Sequence, residues 1–150
     1  MELAQYEALL AHAGLFDASR AFGRLFARGK EAIDLLHRMS TNDLKPLEQE
    51  KNIAALTFLT NEKGRMIDLL KVVRDGAGET LLITSAAKEE TVIQWLDKFT
   101  IMEDAKFIRA TESISQFAVW GPKAVEVLRH LDGVDLIDGV DVRGTRISET

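Results

Sequence analysis

The sequence predicts an α+β domain in which helices flank an antiparallel sheet. Three β-type segments follow one another with only short turns between them, at residues 53–60, 65–74 and 80–85. Such short connections join antiparallel neighbours, because a parallel crossover needs about a dozen residues or more. The next segment, 88–99, carries apolar residues at helical spacing: Val92, Ile93, Leu96 and Phe99. We expect this helix to pack across the sheet, since a sheet must bury its apolar face against another layer.

Two helices and two strands are predicted before this sheet. Residues 4–13 form a helix that ends at Gly14, since glycine commonly follows a helix C-terminus. Strands follow at 15–20 and 22–28. Residues 30–39 form the next helix, because one face of it is apolar: Ala32, Leu35, Leu36 and Met39.

The polar segment 45–51 is predicted to be a loop between that helix and the sheet. Pro46 disfavours the helical region for the residue before it, so the preceding helix should have ended by Lys45. The last predicted elements are strands at 106–110, 116–120 and 146–148, and a helix from Pro122 to Leu131 with the proline in its first turn.

The chain contains an internal repeat. Residues 14–39 align without gaps on residues 106–131, at an offset of 92. The identical pairs are Ala18/Ala110, Gly29/Gly121, Ala32/Ala124 and Leu36/Leu128. A shared strand–glycine–helix order accompanies them, which indicates a structural repeat. We therefore predict one domain over 1–150, with repeat one at 14–105 and the start of repeat two at 106–150.

The composition is that of a soluble globular protein. Apolar residues make up 46% and charged residues 29% of the chain. A net charge of −5 without a basic cluster argues against a nucleic-acid partner. No apolar run is long enough to span a membrane, and the first residues lack the features of a signal peptide. We therefore expect a cytoplasmic protein with no membrane partner.

Few side chains suit nucleophilic or metal-dependent catalysis. The absence of cysteine excludes a thiol nucleophile, a disulfide and a thiolate metal site. The three histidines, His12, His37 and His130, lie on predicted helices, and none is paired with a carboxylate at a spacing that suggests a triad. Spacings typical of metal ligands are also absent, so no metal site is predicted.

Three polar side chains are candidates for a binding site. Asn42 and Asp43 follow a helix end, where such residues satisfy free backbone groups or line a site. Asp68 lies inside an apolar strand. Alternation places Met66, Asp68 and Leu70 on one face of that strand and Ile67, Leu69 and Lys71 on the other. Because an unpaired buried charge is costly, Asp68 faces either solvent, near a cation on a neighbouring strand, or a ligand.

The stretch Ser40-Thr41-Asn42-Asp43-Leu44 and the later hairpin from Leu56 to Leu70 resemble the aminomethyltransferase family. The resemblance is to the folate-binding domain of the glycine cleavage T-protein and of its YgfZ-like relatives, and it extends from Gly14 to Ala124. In that family a helix end with Thr-Asn-Asp leads into a hairpin whose second strand carries an acid. The resemblance implies a tetrahydrofolate site within an antiparallel domain. Full-length members add more chain and a closing barrel.

The folate-binding positions that the resemblance implies are Asn42, Asp43, Leu56, Asp68, Leu69 and Ser85. Leu56 stands where the family has a folate-facing tyrosine, and Ser85 stands where it has an asparagine. Asp68 corresponds to the first of two adjacent acids, and Leu69 occupies the second, catalytic position. Adjacent strand residues point to opposite faces, so Asp68 cannot replace that acid. We therefore expect no catalytic residue.

The resemblance supports more than one function. The Gly64-Arg65 step and the segment 95–101 resemble the YgfZ branch, which is linked to iron–sulfur enzyme maintenance through folate. The first interpretation is a tetrahydrofolate-binding, one-carbon-related, YgfZ-like protein that is not catalytic on its own. The alternatives are an active aminomethyltransferase of glycine cleavage and a scaffold half that has lost folate binding.

The incomplete second repeat bears on assembly. We expect strands in 106–120 to pair within the chain against 53–85, which leaves segment 14–40 without its usual partner sheet. Unpaired edges favour association. A homodimer or a further C-terminal region would complete the fold, and the competing outcome is a monomer with 14–40 folded back.

Overall fold

The computed structural model of the chain describes residues 3–130 and 138–139. Within them the helices are α1 Leu3–Ala11, α2 Ala32–Met39, α3 Pro46–Gln49, α4 Glu89–Asp97 and α5 Ala124–Arg129. The strands are β1 Gly14–Asp17, β2 Phe22–Arg28, β3 Ile53–Thr60, β4 Met66–Arg74, β5 Thr80–Ser85, β6 Lys106–Arg109, β7 Phe117–Trp120 and β8 Asp138–Gly139.

Two sheets organise these strands, and they confirm the predicted α+β class. The larger sheet has six strands in the order β6-β2-β5-β4-β3-β8, and the smaller one pairs β1 with β7. All neighbours are antiparallel except β3 and β8, which run parallel. The predicted meander is therefore present as β3, β4 and β5, joined by the short turns that the sequence indicated.

One face of the large sheet carries the main hydrophobic core. Leu35 and Leu36 of α2, together with Val92 and Leu96 of α4, have no exposed surface and pack into a single cluster with the strands. Each such side chain contributes roughly 1.5–3 kcal/mol by leaving water. The apolar stripe predicted for the helix at 88–99 ends at Leu96. Phe99 lies beyond the end of α4 and is 37% exposed.

The segment 45–51, predicted as a loop, contains the short helix α3. Lys45 has helical dihedral angles, φ −55° and ψ −36°, although Pro46 follows it. The Asp43 carboxylate accepts a hydrogen bond from Lys45 N at 2.9 Å, and proline is well suited to the first helical position. Lys45 is therefore helical despite the usual effect of proline on the residue before it, and its amide is held by the Asp43 side chain.

The predicted helices at 30–39 and from Pro122 both begin two residues late, at Ala32 and Ala124. In each case the backbone before the helix bonds to a distant segment instead: Glu31 N to Asp104 O at 3.0 Å and Lys123 N to His12 O at 2.9 Å. The first strand also ends early, at Asp17, whose carboxylate accepts a hydrogen bond from Ser19 N and turns the chain. Leu131 and the predicted strand at 146–148 lie outside the described residues.

The pairing predicted for segments 14–40 and 106–120 is wrong. β6 pairs with β2 rather than with the meander, and β7 pairs with β1. β2 is therefore an interior strand between β5 and β6, and segment 14–40 has its partners within the chain. The reason is an exchange: the first strand of each half pairs with the second strand of the other half. The open-edge argument for a homodimer no longer applies, and the homodimer stays a prediction.

Hydrogen bonds accompany this exchange in reciprocal pairs related by the offset of 92. Ala18 N donates to Gln116 O and Ala110 N donates to Arg24 O, at 2.8 Å in both cases. Hydroxyls repeat the relation, because Ser19 Oγ accepts from Gln116 N and Thr111 Oγ1 accepts from Arg24 N, again at equal distances of 2.9 Å. Equivalent residues of the two halves therefore make equivalent hydrogen bonds to the other half. The division into repeats at 14–105 and 106–150 stays a prediction.

Replacing Leu96 with alanine should lower the free energy of unfolding by about 2–5 kcal/mol, since the residue is fully buried between α4 and the sheet. Urea titration of the purified chain measures this change. Ile101→Ala is the matched control, because Ile101 is 83% exposed and should change stability by less than about 0.5 kcal/mol. Equal effects of the two substitutions would contradict the assigned core.

Candidate functional site

The face of the large sheet opposite α2 and α4 is partly open, and Leu69 lies on it. Leu69 is 39% exposed, and its cross-strand partner Phe58 is 45% exposed. Leu56 lies two residues before Phe58 on the same face of β3. At one end of this face the side chains close over one another in a small apolar cluster: Ala54, Leu56, Val73, Leu81 and Ile83. The open part of the face is therefore an apolar surface centred on Phe58 and Leu69.

Asp68 lies on the other side of the same strand, toward the core. It is only 4% exposed, so the solvent-facing interpretation is wrong. Its carboxylate accepts two hydrogen bonds from Ser85, one from the backbone N at 2.9 Å and one from Oγ at 2.6 Å. The buried charge thus has local donors at the end of β5, which lower the cost of burying it. Asp68 positions Ser85, and it does not share a face with Leu69.

Asn42 is held against the edge of β3. The isolated bridge between Ser40 and Leu59 begins this pairing, and Asn42 N donates to Thr57 Oγ1 at 3.1 Å. The side-chain Nδ2 of Asn42 donates to Leu56 O at 2.6 Å. Asn42 therefore fixes the backbone beneath one predicted folate position rather than projecting freely from a helix end.

Asp43 lies apart from the sheet face. Its side chain is 68% exposed, accepts from Lys45 N, and lies 3.4 Å from Nδ1 of His37. The structure accordingly divides the six predicted residues into three groups. Leu56 and Leu69 share the open face, with Ser85 at its end. Asn42 lies at the edge of β3 and Asp68 on the core side, while Asp43 bonds to Lys45 N just before α3.

Phe22 and Lys71 also belong to this face, and the predicted site omitted them. Lys71 pairs with Leu56 on one side and with Ile83 on the other, and its Nζ lies 5.3 Å from the centroid of the Phe22 ring. Strand alternation already placed Lys71 on the face of Leu69, so the signal was present in the sequence. Phe22 is distant along the chain and reaches the face only through the pairing of β2 with β5.

A separate cavity of about 640 Å³ lies at the far end of the sheet, and none of the six predicted residues lines it. Its charged lining residues are Arg28, Lys30, Glu48, Arg74, Glu79 and Asp104. Acids and bases are equal in number, so the cavity favours neither anions nor cations. In the described part of the chain no cluster of His, Asp or Glu could hold a metal ion, and no helix is long and apolar enough to cross a membrane.

Replacing Asp68 with alanine should destabilise the fold by about 1–3 kcal/mol, because the donors of Ser85 would lose their acceptor beside the core. Asp43→Ala is a matched control that removes an exposed carboxylate and its hydrogen bond to Lys45 N, and it should cost no more than about 1 kcal/mol. Denaturant titration at neutral pH compares the two. A smaller effect for Asp68 than for Asp43 would contradict the positioning role.

Comparison with known proteins identifies the family. The profile of the GCVT N-terminal domain matches residues 2–141. The aminomethyltransferase of Thermoanaerobacter pseudethanolicus is 34% identical over 134 residues, which are 89% of this chain and 36% of that protein. That of Anoxybacillus flavithermus is 33% identical over 156 residues, covering 97% of this chain and 42% of the relative.

A solved structure shows the same fold. The glycine cleavage system aminomethyltransferase T from Bartonella henselae superposes with a TM-score of 0.69 at 23% identity, over 85% of this chain and 34% of that one. The chain thus spans about a third to two fifths of the length of the relatives it matches. The sequence matches and the fold match point to the same family. The chain belongs to the GCVT N-terminal domain family of aminomethyltransferases.

Proposed function

We propose that this chain binds tetrahydrofolate on the open face of the large sheet and is not catalytic on its own. The observation that carries the proposal is the apolar surface of Phe58 and Leu69, next to which Asp68 holds Ser85 at the end of β5. The named relatives are aminomethyltransferases, and membership in their family supports a folate ligand.

The face suits the flat, partly apolar rings of a reduced folate. Aromatic and aliphatic side chains bury such rings at roughly 25 cal/mol per Å² of apolar surface removed from water. Ser85 adds a polar contact, because its hydroxyl hydrogen is donated to Asp68 and its oxygen can accept a hydrogen bond. An N–H group of the pterin ring is a donor of the required kind.

Among the described residues of β3, β4 and β5, this face carries no carboxylic acid. Leu69 cannot ionise, and Asp68 points toward the core with its carboxylate bonded to Ser85. The other side chains that alternate onto this face from β3, β4 and β5 include no acid. Because a positioned acid or base typically contributes 10²-fold or more to rate, we infer that the chain alone does not catalyse aminomethyl transfer.

For a folate-binding chain without that acid we propose a YgfZ-like role in iron–sulfur enzyme maintenance. The Gly64-Arg65 step and the segment 95–101 support that branch by resemblance. A cytoplasmic location is proposed with it. The second candidate is a scaffold that has lost folate binding, and it is favoured by leucine at positions 56 and 69, where the family has polar side chains.

Tetrahydrofolate should protect the chain against unfolding. At a ligand concentration of one hundred times Kd the stabilisation should reach about 2.7 kcal/mol, seen as a rise in Tm. Ser85→Ala should weaken this protection, because it removes the hydroxyl at the open face. Ser113→Ala is the control, since the Ser113 hydroxyl bonds to Ala110 O in a separate turn. An unchanged Tm at millimolar ligand would favour the scaffold instead.

The purified chain should form no methylenetetrahydrofolate from an aminomethylated lipoyl carrier, because Leu69 occupies the catalytic position. The measurement is product formation by absorbance or mass spectrometry, with an authentic aminomethyltransferase as the positive control. Product formation that Asp68→Asn abolishes would contradict the proposal, and it would establish the alternative of an active aminomethyltransferase.

A further inference from the structure

The open sheet face carries a positive charge that has no ion-pair partner among the described residues. Lys71 is half-buried in the middle of β4, between Leu56 of β3 and Ile83 of β5. Its stem therefore lies among apolar neighbours, and its ammonium group stands over the Phe22 ring at 5.3 Å. The ring face is weakly attractive to a cation, but it does not neutralise the charge.

Arg24 and Arg28 of β2 alternate onto the same face and are already engaged, and Lys106 lies opposite Arg28 at the far end of the sheet. The guanidinium of Arg24 donates to the carbonyl oxygens of Ser19 and Thr111 at 2.9 and 2.7 Å, and that of Arg28 lies 3.7 Å from the Glu79 carboxylate. Within residues 3–130 Lys71 forms no ion pair, and its one partner is the Phe22 ring. A half-buried ammonium group among apolar side chains is costly unless water or an anion accompanies it.

Lys71 also lies close to the proposed ligand surface. It follows Leu69 by two residues on the same face, a separation of about 6.6 Å along the strand. A bound folate that covers Phe58 and Leu69 would extend over this distance. Tetrahydrofolate carries a glutamate tail with two carboxylates. The primary amide of tetrahydropteroic acid keeps the same ring system and has neither that tail nor any carboxylate.

We propose that Lys71 binds a carboxylate of the glutamate tail and thereby makes the face selective for anionic folates. This inference rests on the proposed folate function and deepens it. The ring system occupies the apolar surface of Phe58 and Leu69, and the ammonium group supplies the charge complement beside it. Selectivity arises because a ligand without the tail leaves the Lys71 charge uncompensated.

Isothermal titration calorimetry with tetrahydrofolate and with the primary amide of tetrahydropteroic acid tests the proposal. Lys71→Met keeps most of the apolar stem and removes the charge, so it should raise Kd for tetrahydrofolate about tenfold to a hundredfold. The same variant should leave Kd for the neutral amide unchanged within about twofold. Lys71→Arg should retain most of the affinity for tetrahydrofolate. Lys106→Met is the matched control, an exposed strand lysine on β6, and should change neither affinity.

A second measurement keeps the test independent of any folding defect. In the unaltered chain the ratio of the two affinities should shrink as salt is raised from 50 mM to 500 mM, because ions screen the contact. Equal loss of both ligands in Lys71→Met, or no loss, overturns the role of Lys71 while leaving folate binding intact. Failure of the unaltered chain to bind either ligand overturns the proposed function and this inference with it.

Discussion

The exchange of first strands between the two halves of the chain is the constraint on which the rest of the structure depends. β1, the first strand of the first half, pairs with β7 of the second half. β6, the first strand of the second half, pairs with β2 of the first half. Neither half could satisfy these backbone groups by itself, and an unpaired buried amide or carbonyl is costly. The exchange therefore places β2 in the interior of the large sheet and holds segments far apart in sequence within hydrogen-bonding distance.

Glycine at the two strand–helix joints permits this close approach. Gly29 and Gly121 both have positive φ, 102° and 124°. A Cβ at Gly29 would lie 2.1 Å from Asp104 O, and one at Gly121 would lie 2.6 Å from His12 O. The same carbonyls accept the amides that precede α2 and α5. The absence of a side chain at both glycines thus allows the reciprocal backbone hydrogen bonds to form.

The two faces of the large sheet differ in burial, and the proposed binding surface lies on the less buried face. The face beneath α2 and α4 contains the fully buried leucines and Asp68, whose carboxylate is satisfied by Ser85. The other face keeps Phe58, Leu69 and Lys71 accessible beside a small closed cluster. Because strand residues alternate between the faces, Asp68 lies on the core side and Leu69 lies on the side of the proposed binding surface.

The sequence by itself determined the class of fold, the meander of β3, β4 and β5, the helix across it and the separation of Asp68 from Leu69. These depend on local periodicity and on turns too short for any other connection. Only the tertiary structure decided that β6 pairs with β2, that Asn42 bonds to Leu56 O, and that Phe22 reaches Lys71. Those contacts join residues far apart in the chain, and single-segment patterns carry no information about which edges meet.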